Sequence, residues 1–268
     1  PPLYASPPLW LQVAGTLDDI DRLYDGDAAA QAAWRAYALS RLSPAFERLG
    51  WDGREGDTAT TRRLRAQLIG VLGNLGDRQV IAEARRRFAA FQADPASLQP
   101  DQRRAVLDIV ARNADAATWD ALHALAKQET SSMVRDQYYV LLAAARDEAL
   151  ARRALAMALT AEPGATNSAA MIGAVAREHP ELAFDFALEH LEQVDTLVDA
   201  SSRARYYPRL GADSSKLETA AKIQAFAEQH LAPTSRRDAE TAIAGIQSRV
   251  KLRAQRRPQI DAWLQQHP

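Results

Sequence analysis

Five histidines, His123, His179, His190, His230 and His267, carry the broadest chemical repertoire in this chain, and their spacing limits what they can do. A helix that holds zinc for hydrolysis places two imidazoles four residues apart, with a glutamate beside the first. No such pair occurs. His190 with Glu192, and His179 with Glu181, stand two apart, which turns their side chains away from each other on a helix. All five are read as scattered surface or groove histidines. No Gly-x-Ser-x-Gly elbow offers a serine nucleophile. Cysteine is absent, which excludes a thiol nucleophile, a cysteine-ligated metal and a disulfide framework. Asp18, Asp19, Asp21, Asp25 and Asp27 lack the oxygen spacing and distal glutamate of a calcium loop, and read as a solvated helix end. Gly70-x-x-Gly73-x-x-Gly76 has no strand before it, so helix termination accounts for it better than a phosphate-cradling loop.

The basic residues come next. Arg85–Arg87 and Arg236–Arg237 could contact phosphate, but Glu83, Asp238 and Glu240 lie beside them and no aromatics alternate with them. Solvated helix faces are the expectation. With Lys+Arg 33 against Asp+Glu 34 the net charge is −1, so no basic excess points to a nucleic-acid partner. Val198–Asp213 differs from the rest: Arg203, Arg205, Tyr206, Tyr207, Pro208, Arg209 and Gly211 fall in the least helical internal stretch. Arginine binds carboxylates through two parallel hydrogen bonds, and tyrosine offers an apolar face with a polar tip. Loops often carry function, so Arg203, Arg205, Tyr206, Tyr207 and Arg209 are the candidate binding residues; a simple connector with its tyrosines packed down is the alternative.

The elements that would position these residues are helices. Alanine forms about a fifth of the 268 residues, while Gly (12) and Pro (13) are scarce, a bias toward helix almost everywhere. No apolar run approaches the ~18 residues of a membrane span, so no membrane association is expected. Pro1–Pro8 reads as an extended lead-in, and helical stretches follow at Leu9–Leu23 and Ala28–Leu49, before the charged loop Asp52–Asp57. Apolar stripes then recur at helical spacing, among them Leu64/Leu68/Val71/Leu72/Leu75, Val80/Ala84/Phe88/Phe91, Trp119/Leu122/Leu125 and Met171/Ile172/Val175. Gly76 can end one helix and Asp77 cap the next. Ser215-x-x-Glu218 resembles a capping box, and Pro258 reads as the start of a last short helix.

Breaks at Pro95–Pro100, Asp115, Thr130, Glu162–Thr166 and Pro180 separate the helices by short connections, so antiparallel pairs recur at roughly 30 to 45 residues. The expected fold is all-α, a right-handed α-α superhelix of HEAT-like antiparallel helix pairs forming one domain over residues 1–268. A docking face for another domain would show exposed aromatics, with Trp10 and Trp34 as candidates.

The run from Leu49 to Phe91, LGWDGREGDTATTRRLRAQLIGVLGNLGDRQVIAEARRRFAAF, orders a Leu-Gly-Trp, a charged glycine loop, a Leu-Arg helix, a Leu-Gly-Asp turn and an Ala-Arg-x-x-Phe helix. It resembles the C-terminal helical domain of the aminopeptidase N family of zinc metallopeptidases, the endoplasmic-reticulum-aminopeptidase-like C-terminal domain. Thr118-Trp119-Asp120, Pro180–Leu191, Ser214–Ser215 and Trp263-Leu264 follow in the same order.

The resemblance implies an α-helical domain without catalytic residues, closing over catalytic domains that lie N-terminal to it in the same polypeptide. In the family those domains supply zinc, its H-E-x-x-H ligands and the Gly-x-Met-Glu-Asn motif, none of which this sequence contains. No cofactor is therefore expected in this chain, and its expected partners are those domains and the peptide substrate, whose far end would meet Arg203, Arg205 and Arg209 between Tyr206 and Tyr207. A bacterial-type parent, soluble and cytoplasmic or periplasmic, is the expectation. The other readings of the pattern are a free-standing HEAT-like protein-binding scaffold or a nucleic-acid-binding HEAT-like module.

Overall fold

The computed structural model describes residues 6–267, with nothing of the Asp101 side chain. All regular structure in the described residues is helical, as expected, and none of their helices is long and apolar enough to cross a membrane. The chain forms two compact units, residues 1–110 with 253–268, and residues 111–252.

In the first unit, α1 (Pro7–Asp21), α2 (Ala28–Leu49), α3 (Ala59–Asn74) and α4 (Arg78–Ala93) precede α5 (Pro100–Arg112), whose last two residues belong to the second unit. α3 packs against α1, α2 and α4, placing Leu64, Leu68 and Leu72 in a core with Trp10, Ala14, Leu42 and Phe46. The ends follow from local chemistry. Asp27 accepts from the Ala30 N–H, Thr58 from the Thr61 N–H, and Asp77 from the Gln79 and Val80 N–H groups, each satisfying orphan donors of a first turn. Gly76 holds φ +86° between α3 and α4, a conformation that glycine adopts without steric cost. Of the expected lead-in, residues 1–5 lie outside the described residues. Pro7 and Pro8 open α1, where a missing N–H costs nothing.

The second unit holds α6 (Ala116–Gln128), α7 (Ser132–Leu142), α8 (Glu148–Ala158), α9 (Ala165–Glu178), α10 (Pro180–Glu189), α11 (Leu191–Leu197), α12 (Ala200–Gly211), α13 (Leu217–His230) and the first half of α14 (Arg237–Gln266). α9 is its hub, packing against α7, α8, α10, α11 and α12. Trp119 is fully buried with its indole N–H donated to the Leu142 carbonyl at 2.9 Å. Phe184, Tyr207 and Phe226 form an aromatic cluster under α12 and α13.

Three expectations are corrected. Pro258 does not start a helix: it lies inside the 30-residue α14, where Arg257 pairs with Asp27 and Tyr24 donates to Asp261 at 2.7 Å, both within the first unit. These contacts hold the helix through the proline, which removes one backbone bond. The Ser215 capping box does not form; Lys216 is the N-cap of α13, and its N–H goes to Ser214 Oγ at 3.1 Å. Trp10 and Trp34 are not exposed. Trp34 is 3% accessible because its indole N–H reaches the Leu17 carbonyl at 3.1 Å and its ring stacks on Tyr24, which satisfies both its polar and apolar parts inside the unit. Among the described residues, the exposed large apolar ones are Leu9, Met133, Leu217, Leu252 and Trp263.

Candidate functional site

The stretch expected to be irregular, Val198–Asp213, is mostly the helix α12, with Pro208 buried inside it. Proline deletes a single intrahelical bond, and the buried partners of Tyr207, Leu210 and Gly211 offset that loss. An alanine-sized side chain at Gly211 would stand 3.0 Å from Ile223 and 3.1 Å from Thr219, so the glycine lets α12 approach α13 closely.

The helix sorts the five candidate residues by periodicity. Arg203 and Tyr207, four apart, face inward. Arg203 donates through Nε to the Val198 carbonyl at 3.1 Å and through Nη2 to the Asp195 carbonyl at 2.7 Å, satisfying the last carbonyls of α11; its Nη1 lies 3.3 Å from Asp195 Oδ2. Tyr207 is 1% accessible and donates to Asp195 Oδ1 at 2.6 Å. Burial first, and the Asp195 carboxylate second, push its hydroxyl well above the usual tyrosine range. Both residues hold the α11–α12 junction, with their polar atoms engaged by Asp195 and the Val198 carbonyl.

Tyr206 and Arg209, three apart, share another face. They line a groove of about 400 Å³ between α9 and α12. Tyr206 donates its hydroxyl to the Ala169 carbonyl at 2.9 Å, which fixes the ring as a wall; burial raises its hydroxyl pKa. Ala170, Gly173 and Ala174 make the floor, and Arg177 stands beside it. Arg177 and Arg209 are exposed, and neither pairs with a described residue. Asp213 also lines the groove, 3.8 Å from Arg249. The arrangement is a small-residue trough with two unpaired guanidinium groups, suited to an extended chain bearing a carboxylate. Arg205 is exposed and is not among the residues lining the groove.

Arg177 is the binding candidate that the sequence reading missed. Its signal was legible: Ala170, Gly173, Ala174 and Arg177 recur at i, i+3, i+4 and i+7, one face of α9.

Two expectations about charge are also corrected. Asp21 is 3% accessible, held by Arg35 through bonds of 2.8 and 2.7 Å, so the aspartate cluster is not simply a solvated helix end. Arg87 is not solvated either. It grips Asp52 at 2.9 and 3.0 Å, Glu83 at 2.8 Å and Gln102 at 2.9 Å, and lies over the Trp51 ring. That grip holds the Asp52 carboxyl below the usual range. Among the histidines, His123 sits 2.5 Å from Glu162 and His179 3.0 Å from the Ala145 carbonyl. Among the described residues no group of three or more His, Asp or Glu is placed to hold a metal ion.

Residues 5–248 match the family described as ERAP1-like C-terminal domain. The chain is also similar to Aminopeptidase M1-C of Oryza sativa subsp. japonica, 25% identical over 169 residues that cover 61% of this chain and 19% of the relative. Aminopeptidase M1-B of the same plant is 28% identical over 161 residues, 58% of this chain and 18% of the relative. Aminopeptidase M1 of Arabidopsis thaliana is 24% identical over 205 residues, 74% and 23% of the two. The chain thus spans about a fifth of the length of these relatives. With a match that runs across nearly all of its residues and an all-helical fold, the chain belongs to the ERAP1-like C-terminal domain family.

Proposed function

We propose that this chain is the non-catalytic C-terminal domain of a zinc-dependent aminopeptidase, closing the active-site chamber and holding the far end of the peptide. The family match over residues 5–248, with relatives named as aminopeptidases, carries the reading. Zinc would activate the attacking water in a catalytic part of that polypeptide. In this reading that step belongs to the catalytic part, and the residues of this chain take no part in it. What this chain contributes is position. A peptide lying along the α9–α12 groove meets small residues below, the Tyr206 ring at the side, and Arg177 and Arg209 at its carboxylate. Arg203 and Tyr207 support that groove from behind without touching the peptide, and Arg205 stays outside it.

Two measurements test this. The 268-residue chain given zinc and an aminoacyl chromogenic substrate should show no turnover; robust turnover abolished by a chelator refutes the non-catalytic assignment. In the parent enzyme, Arg209→Ala or Arg177→Ala should raise KM for longer peptides about tenfold, the loss of one charge-assisted hydrogen bond. The aminoacyl substrate, too short to reach the groove, should be unaffected. Equal effects on both substrates refute the role of the groove.

A further inference from the structure

The first unit holds a pocket of about 240 Å³ between α3 and the first turn of α5, which the peptide role does not use. It is lined by Arg62, Arg63, Arg65, Ala66, Ile69 and Gln102. All three charged lining residues are arginines, in a chain whose acids and bases are almost equal in number.

These arginines keep unused donors. Arg65 is 4% accessible; its Nε donates to the Gly50 carbonyl at 3.1 Å, and its Nη2 to Asp57 at 2.6 Å and the Leu49 carbonyl at 3.5 Å. Its Nη1 bonds to no described atom. Arg62 donates only to the Asp57 carbonyl oxygen, at 3.0 Å, and Arg63 pairs with no described residue. Asp57 therefore offsets one of three positive charges. Gln102 is already engaged on both sides of its amide: its oxygen receives Arg87 at 2.9 Å and its NH2 donates to the Trp51 carbonyl. Below this cationic rim the floor is aliphatic. Ala66 follows Arg62 by one turn on the same side of α3 and faces the pocket with the arginine stems, over Ile69, which is 0% accessible.

A small apolar floor under unpaired guanidinium groups selects a ligand that is charged at one end and apolar at the other. Inorganic phosphate could meet the rim but would leave the floor empty. We propose that this pocket binds a monocarboxylate on a short branched or aromatic body. The carboxylate lies between Arg63, Arg62 and the open Nη1 of Arg65, and the body rests on Ala66 and the methylene stems of Arg62 and Arg63. The same chemistry is presented by a free organic acid and by the C-terminal residue of a peptide.

The test titrates the 268-residue chain with 4-methylpentanoate, 4-methylpentanamide, acetyl-glycyl-leucine and inorganic phosphate, followed by backbone amide NMR shifts. The free acid should bind with a Kd of about 1 mM, ordinary for so few heavy atoms. The amide should bind at least about tenfold more weakly, because it forfeits the charge-assisted bonds. Shifts should concentrate at residues 62–69 and 102. Arg63→Gln, at an exposed position with no partner to lose, should keep the fold and weaken the acid about five- to tenfold. Preference for acetyl-glycyl-leucine over the free acid would identify a chain terminus as the source, and the reverse a small metabolite. Equal binding of acid and amide, equal binding of phosphate, indifference to Arg63→Gln, or no saturation by ~20 mM overturns the proposal. Shifts confined to the α9–α12 groove overturn it as well, while leaving the peptide reading intact.

Discussion

Gly70 and Gly73 lie three residues apart in α3 and make a matched pair for testing how the first unit is packed. A methyl group added at Gly70 meets nothing within 4 Å. One added at Gly73 would stand 2.6 Å from Ile109 Cγ1 and 2.8 Å from Cδ1, where carbon atoms ordinarily rest at about 3.5–4.0 Å. Ile109 is 3% accessible and cannot swing into solvent, so relief requires a shift of roughly 1 Å in α5 or an unfavourable rotamer. Alanine at either site gains about 0.5–1 kcal/mol of backbone entropy and helix propensity. Gly70→Ala should therefore stabilise the protein by about that amount. At Gly73 the steric cost, about 1–3 kcal/mol, works against the same gain. The propensity gain cancels between the two variants, and their difference, about 1–3 kcal/mol, measures the helix contact alone. Urea unfolding at 25 °C, read as the change in midpoint at constant slope, gives both numbers. If Gly73→Ala is as stable as Gly70→Ala, the close approach of α3 and α5 at Gly73 is wrong.

Four further outcomes follow from the polar side chains and their partners. Arg87→Gln should destabilise the first unit by about 1–3 kcal/mol at neutral pH, because it strips several charge-assisted bonds from one guanidinium. Asp52 and Glu83 are held below their ordinary carboxylate range, mainly by hydrogen bonds from arginines; a depressed folded-state pKa gives stability that is full above the unfolded value and lost as pH falls through the folded one. Acid titration monitored by circular dichroism should thus show the wild type losing stability below about pH 4, with a shallower loss in Arg87→Gln. Trp119→Phe should cost about 1–3 kcal/mol by thermal melting, since it leaves the buried Leu142 carbonyl without its donor. Arg203→Ala should cost about 1–2 kcal/mol of stability with little change in peptide affinity, and Arg209→Ala the reverse, as read by melting and by peptide titration.

The helices were legible because each carries its own evidence. The stretch Ala28–Leu49 is read with the observed bounds of α2, since Asp27 caps one end and Gly50, at φ +69°, closes the other. Asp77, Asp115 and Pro180 mark starts for the same reason: capping is chemistry among neighbours in sequence. The failures fall where a distant contact overrides a local signal. Pro208 and Pro258 both lie inside helices, because packing elsewhere on each helix outweighs one missing N–H. Nothing within a few residues of Pro208 records that Tyr207 will meet Phe226 and Asp195.

The candidate site was half legible for a related reason. Once α12 is known to be a helix, its wheel separates Arg203 and Tyr207 from Tyr206 and Arg209, a division that composition alone cannot make. What no wheel can supply is the partner of each charge. Asp21 with Arg35, Asp57 with Arg65 and Asp52 with Arg87 join residues 14, 8 and 35 positions apart, and before folding those arginines look no different from Arg63, Arg177 or Arg209. In a chain almost balanced in charge, folding joins many arginines to carboxylates or to helix-end carbonyls, as desolvated guanidinium requires. The few left without partners among the described residues, lining concave surfaces with apolar floors, are the ones a ligand can engage at no cost to the fold. By that criterion Arg209 and Arg177 stand at one groove and Arg63 at another pocket, while Arg203, chosen from sequence for the same chemistry, is already spent on the end of α11.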